Sequence, residues 1–284
     1  MKKLLLASTA LVASAGIAAA DITISGSAAA GFYSDLDGAT NSGTYSNAGV
    51  VVTMSTTTDN GITLSTSMDA EAGVEIDTGD FEFDGAAGTT FALGNVSATG
   101  GFGTIAFDAD GIDNLYDDDL EAGDVSFSTT VGGASVAAVL DTDGDGFDDD
   151  MSVAVSFTSG SMTISGAASS GASIGSSNAL AVSYAVSDTV TISADTDNAA
   201  GSDSVNTVGV ATSISGFSVS ADASSDNTWD LDLGYSLSGV ALTYSTTDDN
   251  AWDASASMDL GGGATAHAGV NFENSAYAGV SLSF

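Results

Sequence analysis

The sequence has no cysteine and no proline, a single histidine, and only two basic side chains, Lys2 and Lys3, against 38 Asp and Glu. Without cysteine there is no disulfide framework and no thiolate chemistry. Without cations beyond residue 3 there is nothing to meet a phosphate, which excludes nucleic acid as a partner. Polybasic docking onto anionic lipid headgroups is excluded for the same reason. If the first residues are removed, the chain keeps all 38 carboxylates and loses its only two Lys, a side-chain charge of −38. Such charge would ordinarily signal disorder, but 43% of the 284 residues are hydrophobic, enough for the chain to order itself.

The first stretch, MKKLLLASTALVASAGIAAA, pairs two lysines with an apolar run ending in Ala18-Ala19-Ala20. This is the pattern of a cleaved export signal, with cleavage expected between Ala20 and Asp21. The apolar run is too short to span a bilayer, and no later window is long enough for a transmembrane helix. One domain, residues 21–284, is expected after cleavage.

From Asp21 onward the chain alternates with a period of two. Ile62, Leu64 and Met68 alternate with Thr63, Ser65, Ser67 and Asp69. Val153, Val155 and Phe157 alternate with Ser152, Ala154 and Ser156. Trp229, Leu231, Leu233, Tyr235 and Leu237 alternate with Asp230, Asp232, Gly234 and Ser236. Trp252, Ala254, Ala256 and Met258 alternate with Asp253, Ser255, Ser257 and Asp259. The runs have the length of tilted strands crossing an apolar layer. Short turns such as Gly132-Gly133, Ser215-Gly216 and Ser238-Gly239 alternate with longer connections around Ser34–Thr44, Ala72–Gly88, Asp108–Gly123, Asp141–Asp149 and Ser170–Ser177.

The expected fold is therefore all-β, a transmembrane antiparallel barrel; the tally of runs gives 18 strands, an even number as closure requires. A soluble sandwich would need larger apolar faces, and a β-solenoid would need a constant repeat. Aromatics near run ends, including Phe32, Tyr33, Tyr45, Trp229, Tyr244 and Trp252, fit membrane girdles. The last strand alternates up to a terminal aromatic, Phe284, which fits a barrel-assembly signal.

The segments DITISGSAAAGFYSD, VVVTMSTTTDNGITLSTSMDAEAG, GGFGTIAFDADGID, MDLGGGATAHAGV and GVSLSF resemble the Rhodobacter-type general-diffusion porins of alphaproteobacteria, over the whole mature chain. The resemblance implies a 16-stranded barrel in the Gram-negative outer membrane, usually a homotrimer in outer-membrane lipid, with the third external loop folded into the lumen; sixteen is therefore the expected strand number, against eighteen by the tally of runs. That loop would be Asp108–Gly123, carrying Asp108, Asp110, Asp113, Asp117, Asp118, Asp119 and Glu121. In the family, such acids face basic residues across the pore. Here the basic half cannot exist, so a one-sign negative pore is expected instead.

On the lumen wall the alternation points inward Asp69, Asp195, Asp222, Asp230, Asp232, Asp253 and Asp259. Carboxylates along a narrow aqueous path concentrate cations and repel anions. The expected function is passive diffusion of small hydrophilic solutes and cations, with no cofactor required and no enzymatic activity. The alternative is an exported, acidic, Ca2+-binding structural or adhesive protein.

Ca2+ is suggested by Asp141–Asp150. Asp141, Asp143 and Asp145 occupy positions 1, 3 and 5 of a calcium loop, with Gly146 at 6, Phe147 at 7 and Asp149 at 9. Position 12 is Ser152, so the bidentate Glu is missing. The G-x-S-x-G match at Gly171–Gly175 lacks the helix a nucleophile elbow needs. His267, between Ala266 and Ala268, is expected on the lumen face as a solvated side chain rather than a base.

Overall fold

A computed structural model describes residues 20–284 apart from 40, 89–90, 143–149 and 172–174. The described residues form nineteen β-strands. The first are β1 (Asp21–Ser34), β2 (Gly43–Thr57), β3 (Thr63–Asp77), β4 (Glu82–Ala86), β5 (Ala92–Gly100), β6 (Gly103–Ile112) and β7 (Gly123–Val131). Then come β8 (Ala134–Leu140), β9 (Met151–Ser159), β10 (Met162–Gly171), β11 (Gly175–Ser187), β12 (Val190–Asn198) and β13 (Val205–Ile214). The last are β14 (Phe217–Ser224), β15 (Trp229–Leu237), β16 (Val240–Thr247), β17 (Trp252–Gly261), β18 (Ala264–Asn271) and β19 (Ala276–Ser283).

Each wall strand pairs antiparallel with its chain neighbours, and β1 pairs with β19 from Ser27↔Ser283 to Ser34↔Ala276, closing the sheet. Short β4 binds only the upper part of β3, from Val74 to Asp77, while β5 takes its lower part from Thr63 to Asp69. With β4 set aside, eighteen strands make the wall. The tally of alternating runs thus holds, and the sixteen implied by the family resemblance does not.

Alternation dictates this shape. Along each strand successive side chains leave opposite faces. The outward set is apolar and bare: Ile24 is 62% exposed, Val208 61% and Leu180 50%. So broad an exposed apolar belt is stable against lipid and not against water. The inward set is mostly Ser, Thr, Gly, Ala and Asp, and among the described residues the buried apolar cluster is small, Leu36, Phe81 and Tyr277 at the closing seam. Outward aromatics cluster toward both rims: Tyr244 stacks on Trp252 at 6.4 Å, and Phe217 meets Tyr235 at 4.3 Å near the opposite end.

The end bearing both ends of the wall carries tight hairpins. Ser215 and Gly216, like Ser238 and Gly239, all hold positive φ, as a two-residue turn matched to strand twist requires. The opposite end carries the longer connections. Phe284 sits at the hairpin end, exchanging backbone hydrogen bonds with Gly26 at 2.8 and 3.0 Å. A methyl group on Gly26 would stand 2.6 Å from the Phe284 ring, so the terminal aromatic lies on the bare outer face of that glycine.

Candidate functional site

The seven aspartates assigned to the wall all occupy inward positions. Asp195 alternates with the outward Ile192–Ala194 set on β12, Asp222 with Val219 and Ala221 on β14, and Asp259 with Met258 on β17. Four of them come together. Asp222 lies directly opposite Asp230, while Asp232 and Asp253 both face Ser245 from its two sides. The Asp222 carboxylate leans over Gly209, where a methyl group would stand 1.9 Å from its Oδ1. Asp69, Asp195 and Asp259 stand apart from this group. Glu71 and Glu75 on β3, Asp197 on β12 and Asp124 on β7 share the inward parity and were missed, although the alternation that singled out Asp69 and Asp195 also marks Glu71 and Asp197.

The inner wall from β5 to β11 differs. A hollow of about 580 Å3 runs along it, lined by small uncharged side chains such as Thr99, Ser128, Ala137, Ser156, Ala167 and Ala181. Among the described residues of this stretch, inward carboxylates return at the connection end, as at Asp108 and Asp124.

The β6–β7 connection starts later than the sequence suggested. β6 continues to Ile112, so Asp108 and Asp110 are strand residues and the connection is 113–122; Gly123 opens β7. Pairing with β7 jumps from Phe107↔Val125 to Ile112↔Gly123, and the extra residues leave the ladder at Asp108–Gly111, which reads as a turn in sequence. Asp113, Asp117, Asp118, Asp119 and Glu121 stay in the connection with exposed side chains.

Three contacts tie this connection to inward side chains of distant strands. Leu115 N–H donates to Ser152 Oγ on β9 at 2.9 Å. The Tyr116 hydroxyl donates to Asp197 Oδ1 on β12 at 2.6 Å. Tyr116 also hydrogen-bonds Ser177 on β11. Burial and the neighbouring Asp197 carboxylate push the Tyr116 phenol up to about 12. Within the connection, Asn114 Oδ1 accepts from Tyr116 N–H at 3.0 Å and Asp117 Oδ1 from Asp119 N–H at 3.0 Å. Beneath it lies a lateral row of paired positions, Ser152, Ser169 and Ser177, all buried, with Ser152 only 1% exposed. Inward serines in an open lumen would be wet.

At the closing seam, Tyr45, Gly31, Gly279 and His267 form one lateral row across β2, β1, β19 and β18. The Tyr45 ring crosses both glycines, and its hydroxyl reaches His267 Nε2 at 2.8 Å. His267 is therefore inward but half-buried and clasped, not solvated, because the glycine pair opens a path for the Tyr45 ring. Tyr33 and Tyr45, assigned to girdles, likewise face inward. Parity along the strand, not nearness to its end, decides which face an aromatic side chain takes.

Asp141 N–H donates to the Asp150 carbonyl at 2.9 Å, which brings the two ends of the β8–β9 connection together. Asp143, Asp145, Phe147 and Asp149 lie outside the described residues, as do the central residues of the G-x-S-x-G match and the export segment up to residue 19. Among the described residues, no three or more His, Asp or Glu are grouped to hold a metal ion.

The solved structures to which this barrel is similar are porins. A mutant of the Rh. blastica porin matches with a TM-score of 0.58 at 14% identity, over 93% of this chain and 100% of that one. A second mutant of the same porin matches at 0.57 and 16% identity, over 93% and 100% of the two chains. A porin structure refined at 1.8 Å resolution matches at 0.57 and 17% identity, with the same coverage. At these identities the likeness shows the fold alone. No curated protein sequence matches the chain. The family model described as Gram-negative porin matches residues 7–282, nearly the whole sequence, and the chain therefore belongs to the Gram-negative porin family.

Proposed function

We propose that this outer-membrane porin is a cation-selective channel for small hydrophilic solutes, working by passive diffusion and needing no cofactor. The observation that carries this reading is the inward placement of Asp69, Asp195, Asp222, Asp230, Asp232, Asp253 and Asp259 in a chain with no Lys or Arg after residue 3. Carboxylates facing a confined aqueous path raise the local cation concentration and repel anions. The connection 113–122, tied to β9, β11 and β12, narrows that path and adds Asp113, Asp117, Asp118, Asp119 and Glu121 to its edge. Asp108 joins the same edge from β6.

Residues 1–20 serve as the cleaved export signal, Phe284 as the assembly signal, and the working unit is a homotrimer. Ca2+ captured at Asp141–Asp150 braces the β8–β9 connection and is not needed for transport. Liposome swelling tests the channel. Vesicles carrying the protein should swell quickly in small sugars and cationic amino acids and slowly in anionic solutes of equal size. Equal rates for cationic and anionic solutes would remove the selectivity, and no swelling in any solute would favour the exported structural alternative.

A further inference from the structure

The connection between β3 and β5 also turns inward, over the closing seam. Its anchor is Phe81, only 4% exposed, whose ring centroid lies 5.2 Å from that of Tyr277. Tyr277 is an inward residue of β19, alternating with outward Ala276 and Ala278. Leu36, 2% exposed, completes the cluster, and Tyr33, Ile76 and Phe83 pack around it. The Phe83 ring meets inward Tyr33 at 5.1 Å.

Backbone bonds fasten the same segment to the β1–β2 connection: Asp37 N–H donates to the Phe81 carbonyl at 3.0 Å, and Phe83 N–H to the Asp37 carbonyl at 2.8 Å. That connection is in turn held to the wall, with Ser275 Oγ donating to the Asp35 carbonyl at 2.6 Å. Phe81 holds a left-handed backbone, φ 60°, which a bulky residue adopts only when its surroundings impose it. A cavity of about 200 Å3 separates the turn at Gly79–Phe81 from inward residues Ser245, Asp253 and Asn271. An aromatic cluster cannot stay dry inside a water-filled barrel unless something covers it, and residues 78–88 are that cover.

We propose that residues 78–88 form a second inner wall of the channel mouth, positioned by Phe81, facing the β6–β7 connection anchored on β9–β12. Phe81 is then a positioning residue that sets the width of the mouth, although it touches no solute. The inference rests on the channel reading above.

The test is single-channel conductance in planar bilayers. Phe81→Gly suits the left-handed backbone and removes only the ring. It should raise conductance by roughly half and admit larger sugars, as widening a constriction must. Phe81→Leu, which still fills the slot, should keep the wild-type value. The chain has no native cysteine, so the double variant Phe81→Cys, Tyr277→Cys can be bridged cleanly by a bifunctional thiol reagent. Bridging should return its raised conductance to the wild-type level. Wild-type steps equal to those of Phe81→Gly, failure to bridge, or bridging without a conductance change would overturn the second wall and leave the channel standing. Absence of steps from the wild-type protein would remove the channel reading itself.

Discussion

Tyr45 Oη and His267 Nε2 meet at 2.8 Å across the two strands that close the barrel. Their register runs Tyr45↔Gly31, Gly31↔Gly279 and Gly279↔His267, so one side chain spans four strands over a floor of two glycines. Strands at opposite ends of the chain must find each other late in folding, when the entropy of closing the longest loop has to be offset. A contact confined to that seam favours the closed register over a slipped one, because a slip by one residue would bring a different side chain to each glycine.

A methyl group on Gly279 would stand 2.0 Å from Tyr45 Oη and 2.6 Å from the Ala30 carbonyl oxygen. Gly279→Val is therefore expected to block closure, giving a chain that stays at its denatured mobility on unboiled gels. Tyr45→Phe removes only the hydroxyl and leaves a half-buried ring nitrogen without its partner. It should fold with stability lowered by about 1–3 kcal/mol, read from urea unfolding in micelles. An unchanged midpoint would show that the clasp contributes nothing.

Tyr116 gives a pH signature to the β6–β7 connection. Burial, and then the Asp197 carboxylate, push its phenol from the ordinary 10.0 up to about 12. A group raised on folding stabilises fully below its unfolded value and loses that contribution as pH rises through its folded value. The anchor should hold up to about pH 10 and fail above about pH 12. Ultraviolet difference titration of the wild type against Tyr116→Phe should show one tyrosine ionising near the upper value. A missing tyrosine that ionises near 10 would contradict the bond to Asp197.

Asp249 lies in the turn between β16 and β17. It accepts from Thr247 Oγ1 at 2.5 Å and from Ala251 N–H at 3.1 Å. These bonds hold its carboxyl below the ordinary 3.8. The sign is opposite to that of Tyr116: the contribution is present above 3.8 and fades as pH falls through the lower folded value. Carboxyl-carbon NMR of Thr247→Val should show the Asp249 titration moving up toward 3.8. No movement would mean that the hydroxyl does not set it.

The wall was legible in sequence because alternation is a local signal. Trp229–Leu237 declares both its faces within nine residues. The inward turn of the β3–β5 connection was not legible. Leu36 stands alone among Asp and Gly, Phe81 and Phe83 lie in a short acidic stretch, and only closure of the barrel brings Tyr277 against them. The clasp is hidden for the same reason: Tyr45 and His267 are 222 residues apart, and their meeting depends on three register pairings. The start of the β6–β7 connection was misplaced because Asp108-Ala109-Asp110-Gly111 has the composition of a turn, whereas its backbone stays extended. Asp197 and Glu71 are readable by parity alone, from the alternation that marks Asp195 and Asp69.

Carboxylates on the inner wall should select cations in a pore that has no basic counterpart. The most direct measurement is the reversal potential across a planar bilayer in a KCl gradient, for the wild type and for a variant with Asp222, Asp230, Asp232 and Asp253 changed to Asn. The wild type should approach the K+ limit in dilute salt and lose selectivity toward 1 M, where the screening length falls from about 8 Å at physiological strength to about 3 Å. The variant should sit closer to zero at every concentration. A wild-type potential near zero in dilute salt, or one that the four substitutions leave unchanged, would contradict the account.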